Sequence, residues 1–150
     1  MEAAVKFVAD TFGFRAVPKT SRFEQQRIAV CKREIRKWQS ESFRLLERTS
    51  GYIMEAGRYQ SALIDRVKQA YTVYAPQEVD KLALETNAAI ERLSAQLAAI
   101  RADMGKMEEA RRAADELNDE RAVIQAYNRF VAPYMTAIRR NAQKLAALVA

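Results

Sequence analysis

Lysine and arginine are the side chains through which this sequence could do chemistry. There are 25 of them against 19 aspartates and glutamates, a formal net charge of +6. Their placement matters more than the sum. Residues 1–75 carry 14 bases and 8 acids, and residues 76–120 carry 6 bases and 11 acids. Residues 121–150 carry 5 bases (Arg121, Arg129, Arg139, Arg140 and Lys144) and no acid. Two basic segments flank an acidic one. Positive charge clustered in this way attracts phosphate, on nucleic acid or on lipid head groups. The chemistry it supports is binding. The plainer interpretation is that the bases are solvated helix faces, some paired with the acidic middle.

The groups that catalysis would need are missing. The chain has no histidine, which removes the commonest general base and the commonest metal ligand. Cys31 is the single cysteine, so neither an intrachain disulfide nor a Cys-based zinc site can form. A lone thiol fits a reducing compartment. As a nucleophile Cys31 would lack a histidine base. Glycine-rich phosphate loops and serine-centred nucleophile motifs are absent. The sequence therefore points away from an enzyme and implies no cofactor, no metal and no small-molecule substrate.

The elements that must carry these charges are long helices. Only 4 Gly and 3 Pro occur, and 49% of residues are hydrophobic. That composition suits an all-α protein with a buried seam. Residues 1–20 read as an N-terminal amphipathic segment, with Met1, Ala4, Val5, Val8 and Phe12 on one stripe and Lys6 and Asp10 opposite. Thr20 and Ser21 offer an N-cap for the next helix. Residues 21–150 read as one helical domain. From Ser21 to Tyr74 apolar residues recur every 3.5 positions. Position a runs Ile28, Ile35, Ser42, Thr49, Ala56, Leu63, Ala70, and position d runs Cys31, Trp38, Leu45, Tyr52, Tyr59, Arg66, Val73. Pro76 breaks the pattern. A second seam follows through Ile90, Leu93, Leu97, Ile100, Met104 and Met107. It shifts phase around 114–120, as a stammer would. It resumes through Leu117, Ile124, Tyr127, Val131, Tyr134, Ile138, Leu145 and Leu148, with Pro133 expected to kink this second helix. The methionines and tyrosines fall on the seam and read as packing. No run of 18 apolar residues occurs, so a chain of this kind would meet a membrane only at its surface.

Several pieces of Phe23–Pro76 carry a likeness. Phe23-Glu24 follows a Thr20-containing turn, and Ile28 and Ile35 stand seven apart. Arg36-Lys37 and Leu45 follow, then Gly51-Tyr52, and the stretch closes on Val73-Tyr74-Ala75-Pro76. This ordered set resembles the first helix of amphiphysin-type N-BAR domains. A looser echo lies in Arg129-Phe130 and in Ile138-Arg139-Arg140-Asn141 with Lys144-Leu145.

The resemblance implies an elongated antiparallel coiled coil, dimeric with itself or with a related BAR-type chain, in the cytoplasm and peripheral to membrane. It implies sensing or generation of membrane curvature, as in endocytosis. Lys6, Arg15, Lys19, Arg22, Arg139, Arg140 and Lys144 would meet anionic lipid, with Lys32, Arg33, Arg36 and Lys37 as second choices. Val5, Phe7, Val8, Phe12 and Phe14 would insert among the head groups. Ile28, Ile35, Trp38, Leu45, Tyr52, Tyr59 and Leu63 would form the dimer or coiled-coil seam. BAR domains complete each arm with a third long helix. This chain reads as ending within its second, so a partner or further sequence is expected to supply it. Two alternatives use the same residues differently: a coiled-coil scaffold or filament subunit, and a helical nucleic-acid-binding protein. The acidic middle weighs against the latter.

Overall fold

The computed structural model describes residues 21–150, and these form helices joined by two short connections. Helix α1 spans Arg22–Val73, 52 residues and roughly 80 Å at 1.5 Å per residue. It starts where a Ser-x-x-Glu signature stands, with Ser21 Oγ accepting a hydrogen bond from the Glu24 backbone N–H at 3.2 Å. Its buried residues are Ser42, Leu45, Thr49, Ala56, Leu63 and Ala70. All but Leu45 are position a of the heptad, so the seven-residue row is the face turned to the core. Small side chains along it let the other helices approach. The two hydroxyls that this buries stay bonded within α1: Ser42 Oγ donates to the Gln39 carbonyl and Thr49 Oγ1 to the Leu45 carbonyl, at 3.1 and 2.6 Å.

Pro76 opens α2, Pro76–Asp115, in the first turn, where its missing N–H removes no helical bond. The helix returns antiparallel. Ala70 meets Val79 and Ala83, Ala56 meets Leu93, Leu97 and Ile100, and Leu45 shares a cluster with Met107 and Ala114. Glutamines fix this register. Gln60 Nε2 donates to the Ile90 carbonyl at 3.2 Å and Ser94 Oγ at 2.6 Å, and Gln39 Nε2 donates to Asp115 Oδ1 at 3.0 Å.

Here the structure corrects the sequence reading. The chain does not run on as a kinked second helix with a stammer. It turns through residues 116–119 and starts a third helix, α3, at Glu120–Ala126. Leu117, expected on the seam, is 44% exposed at this turn. Asn118 and Asp119 supply side chains that compete for backbone hydrogen bonds, and they favour the reversal. A π-helical turn, Tyr127–Val131, and α4, Ala132–Val149, continue the same rod. Pro133 lies in this third helix. Just ahead of it the ladder widens, and the Ala132 N–H reaches the Tyr127 carbonyl five residues back. That wider turn gives room to a proline ring that an α-turn would crowd. The chain itself thus supplies a third long helical stretch, where it had been expected to end within its second.

The third helix packs along both others. Val123, Tyr127, Val131, Met135 and Ile138 join Leu45 and Met107, while Leu145 joins Ala56 and Leu93. Gln96 Nε2 donates to the Asn141 carbonyl and Oδ1, and Asn141 Nδ2 donates to Asp103 Oδ2 at 2.7 Å. The protein is therefore all-α, built from long helices. Residues 57–92 run past the packing of Leu145 as a two-helix hairpin around Val67, Ala70, Val79 and Ala83.

Candidate polyanion-binding face

Folding sorts the charge by helix. The first half of α1, Arg22–Arg48, carries 8 bases and 4 acids. Residues 76–115 carry 6 and 8, and residues 120–149 carry 5 and 1. Acids outnumber bases on α2, while α4 and the start of α1 are net positive. Among the described residues only two ion pairs form, and both use Glu108: Arg111 at 3.1 Å and Arg112 at 3.9 Å. The acidic helix therefore forms no ion pair with the bases of the other described helices.

Arg139, Arg140 and Lys144 are exposed, and none makes an ion pair. Arg140 and Lys144, four apart, share one side of α4, and Arg139 turns towards α1. Arg22 is exposed at the start of α1, and so are Lys32, Arg33, Arg36 and Lys37. Lys37, Arg44 and Arg48 recur at i, i+7 and i+11, so they share a side of α1, with Glu34 and Glu41 beside Lys37. Lys6, Arg15, Lys19 and the insertion residues Val5, Phe7, Val8, Phe12 and Phe14 lie outside the described residues.

Arg48 and Arg139 are brought together. Leu45, Arg48, Thr49 and Tyr52 face Arg139, Ala142, Gln143 and Ala146 across a groove of about 320 Å³. Each helix contributes residues at i, i+3, i+4 and i+7, a single face. A second, more apolar groove of about 490 Å³ lies between α2 and the π turn, rimmed by Leu117, Phe130 and Tyr134. The Arg129 guanidinium stands 5.4 Å from the centre of the Phe130 ring.

The expected seam residues divide. Leu45 and Leu63 are buried within the chain, and Ile35 packs on its core. Trp38 stacks on Tyr127, with ring centres 6.1 Å apart and planes 25° apart. Ile28 is half-buried. Tyr52 and Tyr59 remain 43% and 39% exposed.

Beside Trp38 lies a polar tie. The Tyr127 hydroxyl donates to Asp115 Oδ1 at 2.7 Å, the same oxygen that accepts from Gln39. Burial pushes the Tyr127 phenol up to about 12. The Asp115 hydrogen bond and negative charge add to the rise, against an opposing pull from Arg111. A phenol held so firmly neutral ties helices together and moves no proton near neutral pH. Among the described residues no group of three or more His, Cys, Asp or Glu could hold a metal ion. Among them, too, no helix is long and apolar enough to cross a membrane.

Arg48 and the polar tie escaped the sequence reading. Arg48 carried a usable signal, because it occupies position g, beside the core row, where a neighbouring helix passes. Asp115 and Tyr127 carried none, since their meeting depends on where the chain reverses. No protein-family model, no curated protein and no solved structure matches this chain.

Proposed function

We propose that the protein binds anionic membrane as a peripheral, BAR-type helical rod, with the positive side of α1 and α4 against the lipid. One observation supports this reading: bases on these two helices stand exposed without ion pairs and outnumber the acids there, whereas acids outnumber bases on α2. Apolar and aromatic side chains, Val30 and Tyr52, interleave with the bases on the same side of α1 and suit the head-group layer. Each base near an anionic surface contributes about 1 kcal/mol before screening. Replacing Arg139, Arg140 and Lys144 with glutamine should therefore cost up to about 3 kcal/mol, on the order of 100-fold in affinity at low salt.

Pairing of two chains belongs to the same proposal. Leu45, Leu63 and Trp38 are used up inside the protomer, so a dimer needs other surface. Phe43 and Met54, exposed on the outer side of α1 at i and i+11, are where it is expected. The same pair favours a second reading, a helical scaffold whose ligand is protein.

Co-sedimentation with vesicles of graded phosphatidylserine content, with duplex DNA as competitor, separates these. Binding that rises with phosphatidylserine and falls with the triple glutamine variant supports the proposal. Tight DNA binding without vesicle binding would replace it with a nucleic-acid function, and binding to neither leaves the scaffold.

A further inference from the structure

We infer that the groove between α1 and α4 is a binding site for one anionic lipid molecule. Its charge would sit between Arg48 and Arg139, and its first chain carbons would lie over Leu45, Ala142 and Ala146. The inference rests on the membrane reading and narrows it from a charged face to a defined pocket.

The chemistry of the lining is amphiphilic. Arg48 and Arg139 come from different helices, and the Gln143 amide stands one turn beyond Arg139. Planar guanidiniums of this kind recognise phosphate and carboxylate oxygens in pairs, which a single lysine cannot do. No aspartate or glutamate lines the groove. Glu41 and Glu55 stand just outside on α1, and neither pairs with Arg48. Two arginines and no acid among the lining residues suit an anion. The floor calls for hydrocarbon, because its polar group is already satisfied: the Thr49 hydroxyl is spent on the Leu45 carbonyl.

The shape follows from side-chain size. Ala142 and Ala146 are small and leave room on the α4 side, across from the larger Arg48 and Tyr52 of α1. The volume, about 320 Å³, is at the small end for ligand pockets. It fits a head group and the beginning of a chain, with the rest of the lipid remaining in its bilayer. Inorganic phosphate would use only the arginines, and a zwitterionic lipid would bring its own positive charge against them.

The test uses the full chain and soluble dioctanoyl phosphatidylserine below its micelle concentration, followed by titration calorimetry. Dioctanoyl phosphatidylcholine and inorganic phosphate serve as comparators. Saturable binding of the phosphatidylserine is expected, at least tenfold tighter than either comparator. Ala146→Phe, at an exposed position, fills the groove while keeping both charges, and should weaken it at least tenfold. Arg48→Gln with Arg139→Gln should do the same. Helicity by circular dichroism verifies that each variant is folded. Equal affinity for phosphate and phosphatidylserine, no effect of Ala146→Phe in a folded variant, or no binding would each overturn the inference. Vesicle co-sedimentation of the unaltered protein keeps the two ideas apart. Vesicle binding without binding of the soluble lipid sinks the pocket and leaves the membrane reading intact. The converse sinks the membrane reading and leaves the pocket.

Discussion

Removing the Tyr127 hydroxyl tests the third helix more directly than any truncation. Tyr127→Phe deletes one hydrogen bond, 2.7 Å long, from a buried phenol to Asp115 Oδ1. Bonds to charged acceptors contribute about 1.5–3 kcal/mol. Asp115 is exposed and keeps its bond from Gln39, so water can partly replace the phenol. The lower part of the range applies, about 1.5–2 kcal/mol. For a chain of this size that lowers Tm by roughly 3–8 °C. Asp115→Ala should cost about as much or more, because it leaves the phenol buried without an acceptor. Combining both changes removes that orphan, so the double variant should be more stable than the sum of the single losses by about 1 kcal/mol. Urea unfolding followed by circular dichroism measures all three. The pH dependence has a definite sign. The fold favours the neutral phenol, with an ordinary pKa of 10.0 raised to about 12. Its contribution is complete below pH 10 and is lost as the pH rises from 10 to about 12. The gap between the unaltered protein and Tyr127→Phe should close over that window. Additive single losses, within 0.3 kcal/mol, and a gap that stays constant to pH 12 would refute this account of the tie.

Three other outcomes follow from the packing. Ile138→Ala should cost about 2–5 kcal/mol in urea unfolding, since Ile138 is wholly buried between all three helices. Leu117→Glu should change stability by less than about 0.5 kcal/mol, and Leu97→Glu should abolish cooperative unfolding. A continuous second helix with Leu117 on its seam predicts damage from both. Gln60→Ala should cost about 1 kcal/mol, and amide exchange should report it chiefly in residues 57–92, where the hairpin stands without the third helix.

Much of this architecture is local, and the sequence by itself determined it. A run of 52 residues without proline, capped by Ser21 and stopped before Pro76, has few options other than one long helix. The row Ser42, Thr49, Ala56, Leu63, Ala70 was legible as period seven because one helix face repeats at that interval. The charge segments were equally plain, since charge is a property of composition. Tertiary structure alone decided where the chain reverses after Asp115. The phase shift of the seam fits a stammer and a turn alike, and the difference is whether the following apolar face gains more by continuing or by folding back. Folding back buries Val123, Tyr127, Val131 and Ile138 against both other helices, a gain made only between residues distant in sequence. The same reversal carries Arg139 alongside Arg48 and Tyr127 onto Asp115. Spacing along one helix fixes which side chains share a face, but which faces meet depends on the summed burial of all three rods.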